Sequence, residues 1–213
     1  MTPLRLVLAS NNAKKLTELR ALFGTLPLTL VAQGTLGIAE ADEPHGTFLE
    51  NALAKARHAA RAAGGAAMAD DSGLCVDALG GAPGVVSAHW AGMVPPQADR
   101  EATRRTQDAA NNALLLQRLD GVADRRARFV SVLVALRAHD DPEPLVAFGR
   151  WEGEIVATPR GADGFGYDPL MYIPALGRTV AELAAEEKNR VSHRALAAAQ
   201  MATLLREAWR LEA

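Results

Sequence analysis

Leu4-Arg5-Leu6-Val7-Leu8-Ala9 is an apolar run of strand length that breaks into the polar Ser10-Asn11-Asn12-Ala13-Lys14-Lys15. Leu16, Leu19, Leu22 and Phe23 then recur at helical spacing, so the chain opens as strand, loop and helix. Leu28 to Val31 reads as a second strand. Thr47 to Ala63 reads as a helix ended by Gly64 and Gly65, and Thr47 with Glu50 three residues on forms a capping box at its start. The small apolar stretch Gly65-Ala66-Ala67-Met68 leads into Ala69-Asp70-Asp71-Ser72-Gly73, which predicts two adjacent carboxylates at the carboxyl end of a buried strand. Gly80-Gly81-Ala82-Pro83-Gly84 is a loop dense in turn residues. Asp99 to Leu119, polar and basic at first and then leucine-rich, reads as one interrupted helix or two. Ala127 to Arg137 and Leu145 to Val156 read as long strands joined by the turn-like Asp140-Asp141-Pro142-Glu143-Pro144, an antiparallel hairpin. Ser192 to Trp209 reads as a terminal helix capped by Ser192. Strands alternating with helices in this way predict an α/β protein.

Composition narrows the class of partner. With Lys plus Arg at 23 and Asp plus Glu at 25, the charge is nearly balanced, which argues against a nucleic acid or a membrane surface as the main partner. A mononucleotide needs only a local basic cluster. The 213 residues, 49% of them hydrophobic, suffice for a good core as one domain or two close lobes. Cys75 is the sole cysteine, so no intrachain disulfide is possible, and its place in Leu74-Cys75-Val76 predicts a small buried hydrophobe. No stretch approaches membrane-spanning length and the apolar start is shorter than a secretory core, so the cytoplasm is the default location.

The chemistry is expected where the strands end. A strand, a polar loop and a helix N-terminus together make an anion site, because unpaired amides and the positive end of the helix dipole face the loop. Ser10 and Asn12 can add donors there and Lys15 a charge; alternatively, Ser10 and Asn12 only cap the helix and Lys14 and Lys15 are solvated. No Walker loop occurs anywhere in the chain. Asp70 and Asp71 suit a site that holds a divalent cation and activates water beside a phosphate, although Asp-Ser-Gly also makes ordinary turns. Parallel strands would bring Ser10 to Lys15 and Asp70 to Ser72 to one edge.

Five segments in order then carry a resemblance that covers almost the whole chain: SNNAKK at 10–15, TFLENALAKARHAA at 47–60, ADDSGLCVDALGGAPGVVSAHWAG at 69–92, GFGYDP at 164–169 and AEEKNRVSHRALA at 185–197. The chain resembles the inosine and xanthosine triphosphate pyrophosphatases (dITP/XTP pyrophosphatases), enzymes that act on deaminated purine nucleotides. The resemblance implies a single domain over residues 1–213, with an elongated mixed β-sheet flanked by helices, two lobes, the active site in the cleft between them, and a homodimer. It implies Mg²⁺-dependent hydrolysis of ITP, dITP or XTP to the monophosphate and pyrophosphate. Asp71 would be general base and metal ligand, and Glu43 a second metal ligand, with Glu40 and Asp42 close enough to take its place. Asp70 stays open between metal or water binding and a structural hydrogen bond. Substrate would be bound by the loop Ser10-Asn11-Asn12-Ala13-Lys14-Lys15, by Lys55 and Ser72, and, at the base, by Phe165, Gly166, Tyr167, Asp168, Lys188, His193 and Arg194. Lys188, His193 and Arg194 would converge on the 6-position of the purine. A core role for at least one of the two rings, Phe165 and Tyr167, is the plainer alternative. Related pyrophosphatases of the septum-inhibitor type share a serine-rich first loop but lack the GFGYDP and SHR pair.

Overall fold

A computed structural model describes residues 3–211. Its strands and helices are β1 (Leu4–Leu8), α1 (Ala13–Leu22), β2 (Leu28–Ala32), α2 (Phe48–Ala63), β3 (Ala67–Val76), α3 (Arg100–Arg118), β4 (Arg126–Leu136), β5 (Leu145–Ile155), β6 (Met171–Ile173), β7 (Arg178–Thr179), α4 (Ala185–Val191) and α5 (His193–Trp209). The strands form an open, mixed seven-stranded sheet in the order β2-β1-β3-β4-β5-β6-β7. β1 pairs in parallel with both β2 and β3, whereas β5 with β6 and β6 with β7 are antiparallel. The short turn between β4 and β5 suits only antiparallel pairing.

Two compact units emerge. The first comprises residues 1–71, 131–150 and 191–213, and the second residues 72–130 and 151–190. In the first, Leu6, Leu8, Leu30, Met68 and Leu133 from the strands meet Leu19 and Phe23 of α1 and Met201 and Leu205 of α5 in one apolar core. The alanines of α5 at 195, 197, 198 and 202 are buried and let the helix sit close to its neighbours. Gly149 on β5 marks that closeness: a Cβ there would land on the His193 carbonyl oxygen and 2.7 Å from the Ala197 amide nitrogen. Backbone cannot yield as a flexible side chain can. Gly149→Ala is therefore expected to cost about 1–3 kcal/mol, the usual scale of overpacking, read as a lower midpoint in urea unfolding.

Two expectations need correction. Asp70 and Asp71 are not at the end of a strand; β3 runs through them to Val76, because their side chains find buried partners that favour keeping the chain extended. Asp99 to Leu119 is one uninterrupted helix, its N-terminus capped where the Asp99 side chain accepts from the Ala102 amide. The polar first half of α3 is not a break. Further along the helix the buried Gln107 and Asn111 hydrogen-bond the backbone of the segment from Ser87 to Val94.

Candidate active site

The loop after β1 ends in a capped helix. The Asn12 side chain accepts from the amides of Lys14 and Lys15, and Ser10 Oγ accepts from the Asn12 amide at 3.2 Å. Asn11 Nδ2 donates to Glu40 at 2.9 Å. Ala13 and Lys14 lie exposed in the first turn, whereas Lys15 turns inward and its ammonium sits 2.7 Å from Asp70 Oδ2. Capping thus fixes which lysine faces the acids. The two lysines divide as their helical positions require.

α2 supplies the second lysine. Asn51, Ala52, Lys55, Ala56, Ala59 and Ala60 form its buried stripe, so Lys55 is carried inward on a face made mostly of alanine. Its ammonium donates to Asp71 Oδ1 at 2.8 Å and to the Asp70 carbonyl at 3.2 Å, and stands 3.1 Å from Glu43. Glu43 reaches this point because Asn51 of α2 grips the preceding segment, accepting from the His45 amide and donating to the His45 carbonyl. Of the three acids that could serve here, the structure brings Glu43 to Lys55 and Asp71; Glu40 is on Asn11, and Asp42 is exposed.

Adjacent residues of a strand face opposite ways, and the two aspartates have opposite environments. Asp70 accepts from Ser131 Oγ of β4 at 2.7 Å and meets Lys15 and Arg194, which itself pairs with Glu18 of α1. Burial works against ionisation of Asp70, but Lys15 and Arg194 outweigh it and hold its pKa well below the ordinary carboxylate value. Asp71 goes the other way. Burial pushes it up to about 6 despite the pull of Lys55, and its Oδ2 is buried without a hydrogen-bond partner. Burial lowers Lys15, with Arg194 and Lys55 adding to it against Asp70. For Lys55 burial is outweighed by Asp71 and Glu43, and its pKa rises.

The second unit carries the GFGYDP segment. Asp168 is buried, accepting from the Phe165 amide at 3.0 Å and from Lys188 Nζ at 2.8 Å. Lys188 Nζ also stands 4.6 Å from the Phe165 ring centroid. Tyr167 is the core ring of the two: it is 4% exposed and its hydroxyl donates to the Ser87 carbonyl. Burial, then the charge of Asp108, raises its pKa.

Arg194 is 2% exposed, and its guanidinium donates to Asp70 of β3 and to Glu18. Ser192 caps α5 by accepting from the Ala195 amide, and His193 is buried at the first position of the helix. Ser72 is half-buried on β3, beside Asp71 in sequence. Sequence reasoning missed Ser131 and Glu18. Ser131 had a signal, being the single polar residue in the apolar run Phe129 to Leu136.

The donor set suits a hard cation. Asp71 and Glu43 offer carboxylate oxygens to one positively charged point, and the unpartnered Asp71 Oδ2 is the kind of atom an ion would satisfy. No group of three or more His, Cys, Asp or Glu side chains that could hold a metal occurs among the described residues.

An open mixed sheet with helices, Lys15 and Lys55 held on the adjacent carboxylates of β3, and a separate aromatic and charged loop define an α/β protein. Residues 6–204 match the Ham1 family, and the chain belongs to it. It is 73% identical over 206 residues to a dITP/XTP pyrophosphatase of Methylibium petroleiphilum, covering 97% of this chain and 99% of that one. It is 67% identical to a dITP/XTP pyrophosphatase of Leptothrix cholodnii, covering 98% and 100%. Among solved structures, a HAM1 protein from Coxiella burnetii superposes with a TM-score of 0.86 at 42% identity, covering 96% of this chain and 99% of that one. No helix among the described residues is long and apolar enough to cross a membrane.

Proposed function

We propose that this protein hydrolyses deaminated purine nucleoside triphosphates, dITP, ITP and XTP, to the monophosphate and pyrophosphate with Mg²⁺, as a cytoplasmic homodimer whose single functional domain spans residues 1–213. The observation that carries the chemistry is Asp71: a buried carboxylate with one oxygen on Lys55 and the other unpartnered. The names of relatives that match nearly end to end support the substrate class.

Asp71 accepts a proton from water as the water oxygen attacks the α-phosphorus. The bridging bond to the β-phosphate breaks and pyrophosphate leaves with the bonding pair. Lys15 and Lys55 neutralise the triphosphate and the charge that develops on it. Asp71 and Glu43 would hold Mg²⁺, which when bound would add charge neutralisation and lower the pKa of water. Arg194 and Ser131 hold Asp70 in place, and Asp70 in turn holds Lys15. Hypoxanthine and xanthine present an acceptor at O6 beside a donor at N1, which matches the neighbouring donor and acceptor of Lys188 and Asp168. Adenine reverses both. Phe165 gives the base a ring to stack on, and His193 adds polarity at the start of α5.

The test is pyrophosphate release from dITP, XTP, dGTP, dATP and dCTP, with and without Mg²⁺. Leaving the Lys188 and Asp168 pair mismatched should cost dATP a factor on the order of 10² in kcat/KM against dITP. Equal rates on dITP, dATP and dCTP would overturn the proposal. Lys15→Ala removes a charge aimed at the phosphates, so kcat/KM for dITP should fall about tenfold or more. Lys14→Ala should change it by less than about twofold, since Lys14 is exposed and Lys15 is the lysine that meets Asp70. Equal losses in the two variants would contradict the loop geometry.

A further inference from the structure

Helix α3 carries a polar stripe that neither the water chemistry nor the base contacts above employ. Arg104, Asp108 and Asn112 recur every four residues and so share one face. All three end on the same dipeptide. The Arg104 guanidinium carbon lies 4.7 Å from the centroid of the Phe165 ring, Asp108 Oδ2 accepts from the Gly166 amide at 2.8 Å, and Asn112 Nδ2 donates to the Gly166 carbonyl at 2.9 Å. Gly166 has a φ of 63°, the left-handed region that glycine tolerates, and lies outside the sheet. Its two backbone groups are met by the two side chains of α3.

The neighbouring face of the same helix holds a second segment. Gln107 donates to the Gly92 carbonyl and accepts from the Val94 amide, while Asn111 donates to the Ser87 carbonyl and accepts from the Ala91 amide. The Tyr167 hydroxyl meets that same Ser87 carbonyl at 2.9 Å. The chain from Phe165 to Tyr167 is thus fastened to α3 directly at Gly166 and indirectly through Ser87. On the other side of Gly166, the Phe165 amide and Lys188 share one oxygen of Asp168. A displacement at Gly166 would move the ring, the carboxylate and the ammonium together.

We infer that Asp108 and Asn112, with Arg104 set against the ring, are positioning residues for base selectivity in the purine reaction. They fix Gly166 so that Phe165 and the Asp168 and Lys188 pair keep the spacing that a 6-oxopurine requires. The inference rests on the base-reading role proposed for residues 165–168, and the test separates the two.

The experiment compares Asp108→Ala, Asn112→Leu, Asp108→Asn and Lys188→Ala in the full chain with Mg²⁺. It reads kcat and KM for dITP and dATP, and the Ki of inorganic tripolyphosphate, which has no base. Asp108→Ala and Asn112→Leu should raise KM for dITP about tenfold, the scale of a lost hydrogen bond. They should shrink the dITP-to-dATP ratio of kcat/KM and leave the Ki for tripolyphosphate in place. Asp108→Asn keeps an acceptor for the Gly166 amide and should restore the ratio. If Lys188→Ala leaves the ratio unchanged, the base-reading role falls and takes this inference with it. If Lys188→Ala shrinks the ratio but Asp108→Ala and Asn112→Leu do not, the base-reading role stands and the clamp is overturned. Loss of tripolyphosphate inhibition in both α3 variants would overturn it as well, since the stripe would then hold the whole fold.

Discussion

Asp71→Asn is expected to lower kcat for dITP by about two to four orders of magnitude while nucleotide still binds, the usual consequence of losing a positioned general base. Asparagine has nearly the same shape and can keep an oxygen on Lys55. The substitution should also stabilise the fold, and the sign follows from the raised pKa of about 6. A carboxyl group that binds its proton more tightly when folded contributes stability below its unfolded pKa, and that contribution is lost as pH rises through the folded value. Above about pH 6 the wild-type protein therefore carries an ionised Asp71 that opposes folding, and the amide does not. Thermal melts in EDTA should show the variant more stable than wild type at pH 8, with the gap closing below pH 6. A variant that keeps most of its rate at saturating substrate and Mg²⁺ would remove Asp71 from the role of base.

Asp70→Ala should produce the largest loss of stability. It would strip Lys15 and Arg194 of their shared carboxylate in an interior where Asp70 is 1% and Arg194 2% exposed. Removing one member of such a buried pair typically costs about 3–5 kcal/mol, because the remaining charge stays without compensation. At about 2–4 °C per kcal/mol for a chain of this size, the melting temperature should fall by roughly 6–20 °C. The pH dependence runs opposite to that of Asp71. The depressed pKa of Asp70 gives stability that is present above the ordinary carboxylate value and is lost as pH falls through the folded one. The wild-type advantage over Asp70→Ala should thus hold through neutrality and vanish only in strong acid. A melting temperature within a degree or two of wild type at pH 7 would mean that Asp70 is not the hub of this cluster.

The first strand, loop and helix were legible because a short apolar run, a capping Asn12 and the leucine spacing of α1 all point to one local structure. The α2 helix was legible for the same reason, with Thr47 accepting from the Glu50 amide at its start. The passage of β3 through Asp70 and Asp71 was not, since carboxylates are poor strand formers and only distant partners, Ser131, Lys15, Lys55 and Arg194, make the extended form favourable. Asp108 and Asn112 escaped notice because their partners are backbone groups of Gly166, which leave no trace in side-chain chemistry. β6 and β7, at three and two residues, were too short to carry a period of any kind.

The alternation of β3 makes this protein sensitive to parity. One carboxylate is held by cations in its ionised form on one face and its neighbour has a raised proton affinity on the other, so the two roles are separated by a single peptide unit. Substitution at either position alters one role. Inserting or deleting one residue between Met68 and Asp70 would exchange the faces of both, turning the base toward Arg194 and the anchor toward Lys55. Insertions in the turn between β4 and β5 change no such assignment. Length variation should therefore be tolerated at that turn and forbidden across β3, even where every individual side chain there could be replaced.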